Sequence, residues 1–321
     1  MKAVQILDVS SPQVTTNYSM AKPIPQKAEI LIRVHSAGVT GDEILWLQSY
    51  PTLSPIPGHE VSGVISAFGP DYSGPLKLHQ EVYAMIAPGR CEGQADYVLC
   101  LEDEVAPKPT LISHEEAAAL PIPILTAWEA VIDHGKLESG MRVLVTGASG
   151  AVGTFAVQFA TRLAGASVIA LASSRTHEHL KQLGAHETID YNTPNWENRV
   201  RGVDLVFDTV GGDVLTKSWE TVKDDGVIVA VGDPAPSWVV GRGKAVEATE
   251  HPNVRYVYFI VSPNAERMSK ASAMIDAGSI KVLAVKPFPF HKAEEAWAYA
   301  RQRNRGGKVV IDFTGADESE A

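Results

Sequence analysis

The chain has 321 residues, 45% apolar and 21% charged, with a formal net charge of -10. This allows two domains or one large one in a soluble globular protein, and argues against a nucleic-acid or anionic-membrane partner, since both select clustered Lys and Arg. No apolar run reaches the ~18 residues of a membrane span; "MKAVQILDVS" alternates like a strand and lacks a signal peptide's apolar core; and two cysteines, Cys91 and Cys100, imply a reduced cytosolic setting without a disulfide framework.

Residues 1 to about 120 read as β-rich. "EILIRVHSAGV", "EVSGVISAFG", "QEVYAMIAPG" and "GQADYVLC" are short apolar runs bounded by Gly and Pro, as in a small barrel or sandwich. "SHEEAAAL" opens a helix in which Ser113 and Glu116 have the spacing of a capping box. Pro121 and Pro123 mark a break, and "ILTAWEAVIDHG" resumes as a helix ending at Gly135.

From about residue 140 the texture changes. "MRVLVTG", "ASVIALAS", "ETIDY", "VDLVFDTV", "GVIVAVG" and "VRYVYFIV" are unalternated strand-length runs, most of them separated by helical patterns such as "GTFAVQFATRLAG". Such strands belong to a parallel sheet covered on both faces, and six of them suit a doubly wound dinucleotide fold. A helix ("AERMSKASAMIDAG"), a strand ("IKVLAVKPF"), a helix ("KAEEAWAYARQR") and a strand ("GKVVIDF") follow, and are expected to return to the first domain. The last strand of the six, residues 254–261, falls at the sheet edge in the usual order; its apolar character predicts a homodimer paired through that edge. The tail 315–321, acidic and small, is expected to be disordered.

The most specific signal is "RVLVTGASGAVGTFAVQFA", residues 142–160. A strand enters, Gly147, Gly150 and Gly153 follow, and a helix leaves. Glycines there permit a tight turn, close approach of backbone to a pyrophosphate, and close helix packing, and the helix start offers free N–H groups to the anion. Gly147, Ser149, Gly150, Ala151, Val152 and Gly153 are the expected cofactor contacts, although Ala148 fills the first slot of the usual G-x-G-x-x-G. An ordinary βα turn is the competing reading. About twenty residues on, an acid would select a free ribose hydroxyl. The chain has Ser173, Ser174 and Arg175 instead, which suit a phosphate dianion and so NADP(H). A serine that caps the next helix beside a solvated Arg175 fits the same residues.

With these residues the chain resembles the medium-chain dehydrogenase/reductase superfamily, in particular its zinc-independent quinone oxidoreductase and enoyl reductase branch. "HEEAAALPIPILTAWEAV", "VLVTGASGAVGTFAVQFA", "LGAHETIDY", "DLVFDTVGGD" and "GGKVVIDF" carry the resemblance over nearly the full length. It implies an α/β fold in which a Rossmann domain, residues 123–262, is inserted in a GroES-like β-rich catalytic domain built from residues 1–122 and 263–321. It implies Tyr191 near the 2′-phosphate, Asp208, Thr209 and Val210 along the cofactor, and Val231 and Gly232 on the nicotinamide side; core packing is the alternative for the valines.

The triplet Gly58-His59-Glu60 matches a segment that carries a catalytic ligand in zinc-using relatives. Their preceding cysteine corresponds here to Thr40, a poor ligand, and the segment "ALPIPILTAW" offers no Cys, His or acid. Four closely spaced cysteines for a structural zinc are absent, so no metal is expected. A hydride then goes more easily to an enone or quinone, whose developing charge spreads into an enolate or phenolate. Tyr50, which matches a tyrosine of quinone reductases if one gap is allowed, and Thr40 are the candidate oxyanion donors; Asp42 is a further candidate. Trp46, His59 and Thr126 are the candidate pocket residues. The resulting expectation is a cytoplasmic, homodimeric, NADPH-dependent reductase acting on a small-molecule enone or quinone. A zinc-free carbonyl reductase and a cofactor-binding member without redox turnover are the alternatives.

Overall fold

The computed structural model describes residues 1–8, 11–41, 43, 55–232, 235–240, 243–302 and 306–315. The chain forms two units, one from residues 1–125 with 262–321, the other from residues 126–261.

The first unit is antiparallel and β-rich. Strands β1 (Ala3–Asp8) and β2 (Ser11–Asn17) form a ribbon. The main sheet contains β3 (Ile30–Val39), β4 (Glu60–Phe68), β5 (Glu81–Met85), β6 (Tyr97–Cys100) and β7 (Val105–Pro107). Helix α1 (His114–Ala118) carries both bonds of the expected capping box between Ser113 and Glu116. Helix α2 (Pro121–Trp128) begins on Pro121, whose fixed φ suits a first helical residue and whose missing N–H would be unpaired there anyway. The break therefore falls at Ala119–Leu120, ahead of the prolines. A π-helical stretch, Glu129–His134, then runs up to Gly135.

The second unit contains the six expected strands: β8 (Arg142–Thr146), β9 (Ser167–Ala172), β10 (Glu187–Asp190), β11 (Val203–Asp208), β12 (Val222–Ala230) and β13 (Arg255–Tyr258). All pair in parallel, in the order β10-β9-β8-β11-β12-β13. This is the doubly wound 3-2-1-4-5-6 arrangement, whose order reverses between β8 and β11. Helices α3 (Ala151–Arg162), α4 (His177–Leu183), α5 (Gly212–Ser218) and α6 (Ser237–Val240) accompany the strands. The edge strand β13 is shorter than the apolar run 254–261.

The chain returns through α7 (Ala265–Asp276), β14 (Val285–Pro289), α8 (Ala293–Ala300) and β15 (Lys308–Asp312). The expected strand "IKVLAVKPF" is thus strand only in its second half. β15 pairs antiparallel with β3 and parallel with β14, which completes the order β14-β15-β3-β4-β5-β7 with β6 also on β3. Trp297 of α8 is fully buried in this core, and its indole N–H donates to Gln94 Oε1 at 2.9 Å.

At the start of α1, the His114 ring lies 4.3 Å from His35, with Nδ1 2.8 Å from Ser62 Oγ and Nε2 3.5 Å from Glu81 Oε1. Burial, then the neighbouring His35, push the His114 pKa down to about 4 from an ordinary 6.5. The unfolded chain therefore binds a proton between these two values that the folded chain does not, so this group destabilises the fold as pH falls through that window. Melting temperatures from circular dichroism should fall between pH 6.5 and about 4, and His114→Asn should flatten that slope. An unchanged slope would remove His114 as its source.

Candidate functional site

Strand β8 ends at Thr146 and the chain turns through Gly147, whose φ of +59° is the left-handed region that glycine tolerates. Gly150 precedes α3 with no side-chain cap on the helix start, and Ser149 and Gly150 are exposed. A Cβ on Gly153 would stand 2.4 Å from the Gly147 carbonyl oxygen and 2.7 Å from Ala148 Cα. That position must be glycine for the helix to sit so close to the turn. Ser149, Gly150, Ala151 and Val152 thus present backbone at a twelve-residue helix start, the geometry that accepts a phosphate group.

Across the switch point, Asp208 ends β11 fully buried. One carboxylate oxygen accepts from the Thr146 hydroxyl at 2.6 Å and the other from Gly211 N at 2.7 Å. Thr209 N donates to Thr146 Oγ1 at 3.2 Å, and the Thr209 hydroxyl donates to the Thr146 carbonyl at 2.9 Å. Burial pushes the Asp208 carboxyl up, partly countered by these donors. Asp208 is therefore committed to fastening the loop after β11 to the end of β8. Its side chain is thereby taken up by protein groups, at a residue expected to lie along the cofactor. Val231 N donates to the Asp208 carbonyl at 2.9 Å, so Val231 and Gly232 at the end of β12 join the same edge, where Val210 is exposed.

At the ends of β9 and β10, Ser173, Ser174, Arg175 and Tyr191 come together. Ser173 and Ser174 begin a short 3₁₀ turn with no side-chain cap, Ser174 and Arg175 are exposed, and Tyr191 N donates to the Ala172 carbonyl at 3.4 Å. Sequence reasoning missed Asp190, the last residue of β10. Its carboxylate accepts from Asn192 N and Nδ2, both at 2.9 Å, and from Ser174 N at 3.4 Å. The Asn192 backbone N–H, first among these, holds its pKa low. An acid one strand away becomes a neighbour of Ser174 only once the parallel register is known.

The first unit holds a second cluster. Thr40 follows β3, Glu60 opens β4 and Lys308 opens β15. Lys308 Nζ lies 2.6 Å from Glu60 Oε1 and donates to Thr40 Oγ1 at 2.8 Å. Glu60 Oε2 accepts from Ile122 N at 3.2 Å, within the first turn of α2. His59 Nε2 lies 3.2 Å from the Pro88 carbonyl, which can only accept, so Nε2 carries a proton there. Its Nδ1 lies 3.1 Å from Glu43 Oε2. Burial pushes the Glu43 carboxyl up, and His59 pulls it part of the way back. His59, expected as a hydrogen-bonded pocket or structural residue, is 2% exposed, with both ring nitrogens at hydrogen-bond distance of protein groups. Thr126 is buried within α2. Asp42, Trp46 and Tyr50 lie outside the described residues.

This donor set does not suit zinc. The Thr40 position offers a neutral hydroxyl, Glu60 is already paired with an ammonium, and both ring nitrogens of His59 lie against protein oxygens. Among the described residues, the group of three His, Cys or acid ligands close enough to share an ion is Glu220, Glu250 and His251, largely exposed and in the other unit.

Fold and site together define a two-unit α/β protein in which a Rossmann sheet is inserted in a GroES-like β-rich domain. Family models agree: residues 26–110 match the alcohol dehydrogenase GroES-like domain, and residues 183–311 match the zinc-binding dehydrogenase domain. A probable zinc-binding mitochondrial oxidoreductase of Arthroderma benhamiae is 33% identical, over 92% of this chain and 93% of its own. The 2-methylene-furan-3-one reductase of Solanum lycopersicum is also 33% identical, over 97% and 79%. The solved quinone oxidoreductase of Coxiella burnetii superposes with a TM-score of 0.80 at 26% identity, over 97% and 99%. The chain belongs to the medium-chain dehydrogenase/reductase superfamily, in its quinone oxidoreductase branch.

The cradle yields a test of its own. In Gly153→Ala the added methyl meets backbone on two residues, so the turn must open. We expect a loss of about 1–3 kcal/mol in urea unfolding, the usual cost of overpacking. Gly150→Ala should cost less, because its Cβ would meet only the Gly147 oxygen, at 3.2 Å. Equal midpoints for the two variants would contradict this account of the turn.

Proposed function

We propose that the protein is an NADPH-dependent reductase that delivers hydride to an activated double bond or a quinone and works without zinc. The observation that carries this reading is the gathering of Ser173, Ser174, Arg175 and Tyr191 at the ends of β9 and β10, beside the glycine cradle. The tomato relative's name, a reductase of a ketone conjugated to a methylene, supports the substrate class.

Reduced nicotinamide, when bound, supplies the hydride. The Gly147–Gly153 segment would hold the pyrophosphate. Ser173, Ser174, Arg175 and Tyr191 would hold the 2′-phosphate. Thr209, Val210, Val231 and Gly232 would border the nicotinamide side of the switch-point crevice. The Thr40 hydroxyl would receive the oxygen on which charge develops, with Tyr50 as the second candidate. On this reading the protein acts in the cytoplasm.

NADPH consumption across enones, quinones and aldehydes tests the reading, and turnover of enones or quinones should survive a chelator. A charge-assisted contact is worth about 1.5–3 kcal/mol. Arg175→Ala should therefore weaken NADPH about tenfold to a hundredfold and leave NADH nearly unchanged. Asp190→Asn should move the preference the other way, because it removes a negative charge beside Ser174. Equal affinity of the wild type for the two cofactors would sink the cofactor assignment, and loss of activity with removal of one zinc per chain would sink the metal-free one.

Strand β13 ends the strand order of the sheet, and its Tyr256 and Tyr258 pack back against Trp238. We assign this edge to twofold pairing with a second copy, since an unpaired strand edge recruits another. Light scattering at micromolar concentration should give twice the chain mass; a monomer would contradict the assignment.

A further inference from the structure

The cluster of Lys308, Glu60 and Thr40 is built in an unusual way for the surroundings of a sheet core. Lys308 is 6% exposed and Glu60 not at all, whereas Thr40, which bonds to the ammonium, is partly exposed. The two charges are therefore sealed in the fold, and of the three residues only Thr40 is partly exposed. Lys308 Nζ donates to Thr40 Oγ1 at 2.8 Å and so fills an acceptor position of that oxygen. Among the described residues the Thr40 proton has one partner, Glu60 Oε1, at a long 3.4 Å. That oxygen is already held by the ammonium at 2.6 Å, and the other Glu60 oxygen by Ile122 N. The Thr40 proton is thus weakly held within the cluster, and its donor strength is raised because an ammonium polarises the same oxygen.

We propose that Lys308 is a positioning residue that replaces a metal: its buried charge, acting through the Thr40 hydroxyl, stabilises an enolate or phenolate oxygen. The inference rests on the proposed reductase function, and it names what polarises the oxyanion donor. No proton need leave the pair. The hydroxyl donates a hydrogen bond while hydride arrives at carbon, and solvent later protonates the product oxygen or carbon. Only the hydroxyl would touch substrate.

Removing Lys308 alone would leave Glu60 buried without its partner and threaten the fold. The informative variant is therefore Lys308→Met/Glu60→Gln, which removes both charges and keeps the shapes. It should melt as a folded protein and bind NADPH like the wild type, while kcat on the best enone or quinone falls at least about tenfold, part of what an oxyanion donor contributes. Adding Thr40→Val to this variant should cause little further loss, because both changes interrupt one path. A merely structural role predicts full kcat in the charge-neutral pair.

A second readout does not require turnover. With NADP⁺ present, 4-nitrophenol should bind wild type with its visible absorbance shifted toward the phenolate. The shift should vanish in Lys308→Met/Glu60→Gln and in Thr40→Val, and persist in Thr40→Ser. Thr40→Val leaves the ion pair intact and so decides the matter even if the double variant does not fold. If wild type reduces no enone or quinone, the functional reading fails, and the nitrophenol spectra still decide this one. No shift in wild type, or an unchanged shift in Thr40→Val, overturns the proposal, as does wild-type kcat in the double variant.

Discussion

A carboxylate with no access to water sits where three segments of the catalytic unit meet, and it dictates much around it. Glu60 cannot keep its charge in an apolar core without compensation, since desolvation costs several kcal/mol per ion after relaxation. Compensation comes from Lys308 on β15, some 250 residues away in sequence, and from the backbone N–H of Ile122 at the start of α2. That helix end also carries partial positive charge. Space for the carboxylate comes from Gly38 on β3, where a Cβ would stand 2.6 Å from the Glu60 side chain. One buried acid thus fixes the pairing of the returning strand, the entry of α2 and the composition of β3. Gln94 ties in the next layer: it donates to the Gly38 carbonyl and to Glu43, and accepts from Trp297.

The Rossmann unit solves a different problem by similar means. A ligand crevice at a switch point needs two loops that diverge from adjacent strands without collapsing. Asp208 supplies the tie, with Thr146 on one side and Gly211 on the other. In both units a buried carboxylate, Asp208 or Glu60, is satisfied by protein donors, while the backbone at the start of α3 and Thr40 are at least partly exposed. Preorganised donors of this kind need not rearrange as charge develops on a ligand.

Sequence made the six parallel strands, the capping box at Ser113 and the glycine cradle legible because each is a local pattern with a local physical cause. The prolines misled because Pro121 is a helix-starting residue, which spacing alone does not separate from a helix-breaking one. His59 and Asp208 are legible as members of motifs, whereas their burial and their partners come only from the fold. Lys308 was invisible for a sharper reason. A lysine opening "KVVIDF" reads as a strand end in water, and nothing near it in sequence indicates the buried Glu60 that holds it. Asp190 is hidden for a similar reason, because it lies on the neighbouring strand and not on the one that leads to Ser173.

The nature of the cation at Thr40 also bears on which acceptors the proposed reductase can use. A divalent metal bound directly to a carbonyl oxygen acts as a Lewis acid strong enough to stabilise a localised alkoxide. An ammonium one hydrogen bond removed is weaker: it has a single charge, it is shared with Glu60, and under the proposal it would reach a substrate only through a neutral hydroxyl. An acceptor that delocalises its own charge needs less help. In an enone or a quinone, hydride arrives at one atom and the charge settles on an oxygen spread through a conjugated system. The same arrangement would serve an isolated aldehyde poorly, because the full charge would then fall on the oxygen facing Thr40. On this argument a sealed ion pair in the place of a metal would give up strength at the oxyanion, and would narrow the substrates of the proposed reductase to those whose own electrons make up the difference.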